Sequence, residues 1–175
     1  FPEEMNRQIT SRIAKYHFSP TLLSKENLLK EGINEKDILV TGNTVIDALY
    51  MVLNKIKTND DVEETIKNII NTKGYDAERI GQGKKIVLIT GHRRENFGMG
   101  FVNICEAIKE IAILYPEIQL VYPVHLNPNV QQPVNEILAN ITNIKLLTPQ
   151  DYEPFVFLMQ KAYLILTDSG GVQEE

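Results

Sequence analysis

A chain of 175 residues that is 43% hydrophobic and 23% charged has ordinary globular composition and enough length to bury a core. Its net charge of -5 argues against nucleic acid or an anionic membrane surface as the main partner, and no apolar run is long enough to span a bilayer. With no secretory signal visible and a single cysteine, Cys105, that cannot close an internal disulfide, the expected setting is a reducing one, the cytoplasm.

The chain starts at Phe1-Pro2 and stops at Glu175, about one turn into an expected helix, so it reads as a fragment. Glu3–Lys15 carries Met5, Ile9 and Ile13 at a spacing of four, which predicts an amphipathic helix. Tyr16-His17-Phe18 is a short extended piece. Ser19-Pro20 reads as an N-cap followed by proline at the first helical position, opening a helix that ends at Gly32. Ile38–Thr41 is a short strand, broken by Gly42-Asn43. Val45, Ile46, Leu49, Val52, Leu53 and Ile56 then form a strong helical stripe, which serves either as core or as an interface. From Thr58 to Gly83 the chain turns polar, with a helix expected near Val62–Ile70 and a Gly81-Gln82-Gly83 loop. A hinge is expected between Thr41 and Thr58.

A regular alternation follows. Strands are predicted at Lys85–Thr90, Ile118–Tyr122, Ile144–Leu147 and Tyr163–Thr167, with helices at Phe101–Leu114, Asn129–Ile141 and Glu153–Ala162 between them. Nearly continuous apolar strands separated by helices predict an α/β fold, a Rossmann-like parallel sheet covered on both faces. In such a sheet every loop after a strand lies at the carboxyl edge, where ligands of open α/β sheets bind. The segments GHRRENFGMG, PVHLNPN and DSGG are therefore expected on one rim.

Each rim segment has two readings. Asp168-Ser169-Gly170-Gly171, before a helix expected near Val172, is either an ordinary strand-to-helix turn or a place where free N–H groups and the helix dipole favour a phosphate. His92-Arg93-Arg94-Glu95 is either a solvated charged loop or an anion site with a histidine that titrates near neutrality; the glycines around it and the facing SGG turn favour the second. His92 and Glu95 have a metal-ligand spacing, but no cysteine cluster or second close histidine supports a metal site. His125 is a packing, capping or ligand residue. Phe155 belongs to the core or stacks on a base. Glu3 and Glu4 are by default first-turn acids favoured by the helix dipole, and His17 reads as structural.

Seven ordered segments, FPEEMNR (1–7), HFSP (17–20), TGNTVIDAL (41–49), TGHRREN (90–96), YPVHLNPNV (122–130), YEPFVFLM (152–159) and LTDSGGVQEE (166–175), together resemble the non-hydrolysing UDP-N-acetylglucosamine 2-epimerases. The resemblance implies a fragment of a two-domain glycosyltransferase-B-type fold. Residues 1–40 would be the tail of the N-terminal Rossmann-like domain, 41–58 a connecting helix and hinge, and 59–175 an incomplete C-terminal UDP-binding domain. It implies interconversion of UDP-GlcNAc and UDP-ManNAc through elimination and re-addition of UDP, serving cell-surface polysaccharide synthesis, with no cofactor and no metal. Glu3 resembles an acid/base carboxylate of the family and His92 its functional histidine near the diphosphate. Ser169, Gly170 and Gly171 resemble the diphosphate turn, Phe155 the uracil contact and Glu175 the ribose contact, while Arg7 would help hold the cleft. Arg93 and His125 resemble contacts of a second, activating UDP-GlcNAc. A homodimer is implied for the full-length protein, and the 175-residue chain alone is expected to be inactive. A glycosyltransferase of the same fold, a hydrolysing epimerase and a non-catalytic nucleotide-sugar-binding module are the rival readings.

Overall fold

The computed structural model describes residues 2–80, 83–91 and 93–175, with the backbone alone for Arg79. The chain divides into two compact units, Phe1–Ala48 and Leu49–Glu175.

In the first unit, α1 (Pro2–Ile13) leads into β1 (His17–Ser19), α2 (Leu22–Lys30) and β2 (Ile38–Val40), and the two short strands pair in parallel. Ser19 lies opposite Val40, and the Ser19 carbonyl accepts the Thr41 N–H at 2.9 Å. Ser19 is therefore a strand residue and not the predicted helix cap. The cap is Thr21, in an extended conformation, whose Oγ1 accepts from the Ser24 N–H at 3.1 Å. The α1 stripe of Met5, Ile9 and Ile13 is exposed within this unit.

The division between units falls inside α3 (Thr44–Thr58), whose later residues Leu49 and Ile56 are core residues of the second unit. There α4 (Asp60–Thr72), β3 (Ile86–Thr90), α5 (Met99–Leu114), β4 (Gln119–Pro123), α6 (Pro128–Leu138), β5 (Ile144–Leu147), α7 (Tyr152–Lys161), β6 (Leu164–Thr167) and α8 (Gly170–Glu174) follow. The four strands form a wholly parallel sheet in the order β5-β4-β3-β6. Because side chains alternate across a strand, the sheet feeds two cores. Ile86 and Leu88 pack with Val121, α3, α4 and α7 on one face, while Val87 and Ile89 pack with Leu120, Tyr122, α5 and α6 on the other.

Strand order carries the functional consequence. The chain moves outward from β3 through β4 to β5, then returns through α7 to place β6 on the opposite side of β3. The direction of winding reverses between β3 and β6, and a crevice at such a reversal is where doubly wound sheets hold their ligands.

Candidate functional site at the carboxyl edge of the sheet

Two loops border that reversal: the segment after β3, running from Gly91 toward α5, and the turn after β6, beginning at Asp168. They are joined at their roots. Thr90 and Thr167, the last residues of their strands, are in register, and their hydroxyls are 3.0 Å apart. Thr167 Oγ1 also accepts the Ser169 N–H at 2.9 Å, starting the turn into α8.

Asp168 extends the join. Its Oδ2 accepts the Arg93 backbone N–H at 2.9 Å and an N–H of the Asn96 side-chain amide at 3.0 Å. On the other side of the loop the Tyr122 hydroxyl, from β4, donates to the Gly91 carbonyl at 2.6 Å. Burial, followed by the nearby Cys105 and Asp168, pushes the Tyr122 phenol well above its ordinary range. It remains a protonated donor across physiological pH. Beyond the braced backbone, Arg93, Arg94 and Glu95 are exposed.

Among the expected rim residues, Arg93 and Gly170 are brought together: an arginine Nη2 lies 3.5 Å from where a Cβ on Gly170 would stand. The Arg93 guanidinium also lies 3.8 Å from Glu95. Gly170 and Gly171 form the first turn of α8, which starts earlier than the expected Val172, with Ser169 in the cap position. His125 is on the loop after β4; its Nδ1 accepts the Asn127 N–H at 3.1 Å, while Asn127 Oδ1 accepts from the Asn129 N–H at 3.0 Å and caps α6.

Phe155 is half-buried on α7, packed against the core that includes Val156, Phe157 and Leu158. Glu175 is also half-buried. Desolvation, and after it the Glu175 carboxylate, raises the Tyr152 phenol above its ordinary value, so the acid lies close to the start of α7. His92 lies outside the described residues.

In the first unit Glu3 is exposed at the start of α1. Arg7 is a bridge between α1 and α2. It grips Glu4 through Nε at 2.9 Å and Nη2 at 2.6 Å, and Glu31 through Nη1 at 3.0 Å and Nη2 at 2.7 Å. A cleft of about 570 Å³ beside this bridge is bordered by Ser19, Ser24 and Lys30 as well.

Sequence reading named Asp168 only as the first residue of the turn, and Asn96 and Tyr122 only within longer segments, and gave none of them a role of its own. Their signal exists only in part: an acid directly after a strand and before two glycines is visible, but its partners lie 72 and 75 residues away. Among the described residues no group of three histidines, cysteines or acids is placed to hold a metal ion, and no helix is long and apolar enough to cross a membrane.

A doubly wound α/β unit with a cross-braced loop pair at its winding reversal belongs to the class of open α/β folds that bind ligands in that crevice. The model of the UDP-N-acetylglucosamine 2-epimerase family matches residues 1–175, and the chain belongs to that family. It is similar to the UDP-N-acetylglucosamine 2-epimerases of Campylobacter jejuni and of Yersinia pestis, each 55% identical across the whole chain, and to that of Escherichia coli K12, 50% identical. In each case the chain spans 45% of the relative's length. Among solved structures it is similar to the UDP-GlcNAc 2-epimerase of Neisseria meningitidis bound to UDP-GlcNAc, with TM-score 0.84 and 46% identity, covering all of this chain and 45% of that one. The S. aureus MnaA–UDP co-structure gives TM-score 0.77 and 39% identity, covering all of this chain and 43% of that one.

Proposed function

We propose that this chain is part of a non-hydrolysing UDP-N-acetylglucosamine 2-epimerase, a cytoplasmic isomerase that interconverts UDP-GlcNAc and UDP-ManNAc for cell-surface polysaccharide synthesis. The observation that carries the reading is the family match over residues 1–175, together with the winding reversal that lies between the HRREN loop and the DSGG turn.

The chemistry explains the residue types. Sugar C2 is not adjacent to a carbonyl, so its proton is not acidic enough for direct removal and return. Elimination avoids this. The C2–H bond breaks with loss of the proton to a base, the C1–O bond breaks with UDP leaving, and a C1=C2 double bond forms in 2-acetamidoglucal. Re-addition returns the UDP oxygen to C1 and delivers a proton to the opposite face of C2. The step needs a proton acceptor and donor and a stabiliser of the departing diphosphate.

In this reading Glu3 is one acid/base carboxylate and His92 acts beside the diphosphate. Ser169, Gly170 and Gly171 receive the diphosphate, Phe155 contacts the uracil, Glu175 bonds the ribose hydroxyls and Arg7 holds the cleft. The exposed Arg93 head and His125 belong to an adjacent site for a second, activating UDP-GlcNAc. Residues 1–40 close the N-terminal domain, 41–58 connect the halves and 59–175 contribute to the UDP-binding half. The full-length protein works as a homodimer.

The test is solvent-deuterium exchange at C2 of UDP-GlcNAc, followed by NMR, in the full-length protein with Glu3→Gln and His92→Ala beside it. Deuterium at C2 together with UDP-ManNAc is the expected result, lost in both variants. An intact protein that neither exchanges C2 nor forms UDP-ManNAc overturns the reading, and release of free sugar reassigns it to a hydrolysing epimerase.

A further inference from the structure

We propose that Asp168 is a positioning residue, one that sets the Gly91–Asn96 loop against the turn after β6 and thereby aims the loop's charged heads at the ligand. The inference rests on the epimerase reading for its kinetic consequence, but its structural content stands alone.

Three observations carry it. First, one oxygen, Asp168 Oδ2, takes a backbone donor from Arg93 and a side-chain donor from Asn96, so a single carboxylate fixes both the start and the end of a short 3₁₀ turn. That turn is internally tied as well, by the Asn96 N–H to the Arg93 carbonyl at 3.0 Å. Second, the Tyr122 hydroxyl holds the Gly91 carbonyl while Asp168 holds the Arg93 N–H, so Gly91 is tied to β4 and Arg93 to the turn after β6. Third, the loop's charged side chains extend beyond these two anchors. The heads of Arg93, Arg94 and Glu95 remain exposed, and the Arg93 guanidinium stands beside Gly170.

This is the arrangement expected of a residue that acts through others. A hydrogen bond accepted by a charged group is stronger than a neutral one. It therefore suits a loop that must be held still while its side chains engage an anion, because a small misplacement of a reacting group is costly in rate. Asp168 supplies that bond from the turn after β6, so the two loops bordering the crevice move as one piece.

The experiment uses the full-length protein with Asp168→Asn, Asn96→Ala, Asn96→Asp and the double variants. Asp168→Asn is expected to lower kcat for epimerisation by about tenfold or more with a smaller change in KM. Asn96→Ala is expected to lower it less, and Asn96→Ala with Asp168→Asn to be no worse than Asp168→Asn alone, since both act through one contact. Asn96→Asp places two carboxylates face to face and should be strongly impaired; adding Asp168→Asn removes that repulsion and should recover part of the activity, because one amide atom cannot both donate to the new carboxylate and accept from the Arg93 N–H. Hydrogen exchange is expected to rise in residues 91–97 of Asp168→Asn, with protection of β3 and β4 unchanged.

Losses that simply add, no recovery in the swapped pair, or unchanged exchange in 91–97 would each overturn the positioning role. Should Asp168→Asn alone fail to fold, the Asn96 variants and the swapped pair still decide. A wild-type protein without turnover would refute the epimerase reading, while the exchange measurement would still judge the brace.

Discussion

Arg7 illustrates how a side chain marked for a functional cleft also does structural work. Its bonds, first, and those of Gln8 pull the Glu4 carboxyl from an ordinary 4.5 down to about 2. A carboxylate whose folded pKa is depressed stabilises the fold above its ordinary value and loses that contribution as pH falls toward the folded one. The link between α1 and α2 is therefore expected to weaken between about pH 4.5 and 2. An NMR titration of the Glu4 carboxyl checks this, with Arg7→Gln returning its midpoint toward the ordinary value. Tyr122 is the comparable case in the second unit. Tyr122→Phe keeps the packing but strands the Gly91 carbonyl, and a buried acceptor left unpaired costs about 1–3 kcal/mol. The expected outcome is a lower thermal midpoint together with faster hydrogen exchange in the following loop.

At the scale of elements, caps and faces account for where segments begin. α6 is held at its start by Asn127 Oδ1 and runs on from Pro128, so Asn127→Ala should cost about 1 kcal/mol in denaturant unfolding. The Asn127 backbone N–H that His125 Nδ1 accepts is retained in this variant, so the measurement isolates the side-chain cap. Phe101, fully buried where α5 meets the sheet, shows the weight of a face: Phe101→Ala should cost about 3–5 kcal/mol. A loss below about 1 kcal/mol would mean that this face is not the tight core it is taken for.

For the whole molecule the expectation concerns what a partial chain does. The proposed chemistry needs acid/base groups and diphosphate stabilisers together, and this chain spans 45% of the relatives it matches. The 175-residue chain is expected to form no UDP-ManNAc when incubated with UDP-GlcNAc, and the full-length protein is expected to form it. Turnover by the 175-residue chain, read by NMR, would contradict the assignment of roles.

Much of this architecture is written in local pattern. The apolar run Ile86–Ile89 marks a buried parallel strand, and the stripe through Ile104, Ile108 and Ile111 marks α5, because burial depends on spacing that a linear chain already contains. The rim was legible for a related reason: in a parallel sheet the loops after strands must share an edge. Three features were decided only in three dimensions. Ser19 and Pro20 carry a helix-start pattern, yet pairing of β1 with β2 takes Ser19 into the strand and leaves the cap to Thr21. The stripe on α1 is amphipathic in sequence but exposed in its unit, whereas the stripe on α3 supplies Leu49 and Ile56 to the core. The Asp168 brace depends on β6 returning beside β3, a choice made by the crossover through α7. Propensity and periodicity are properties of neighbours along the chain, whereas a hydrogen bond between residues 168 and 96 exists only once strand order has brought them together.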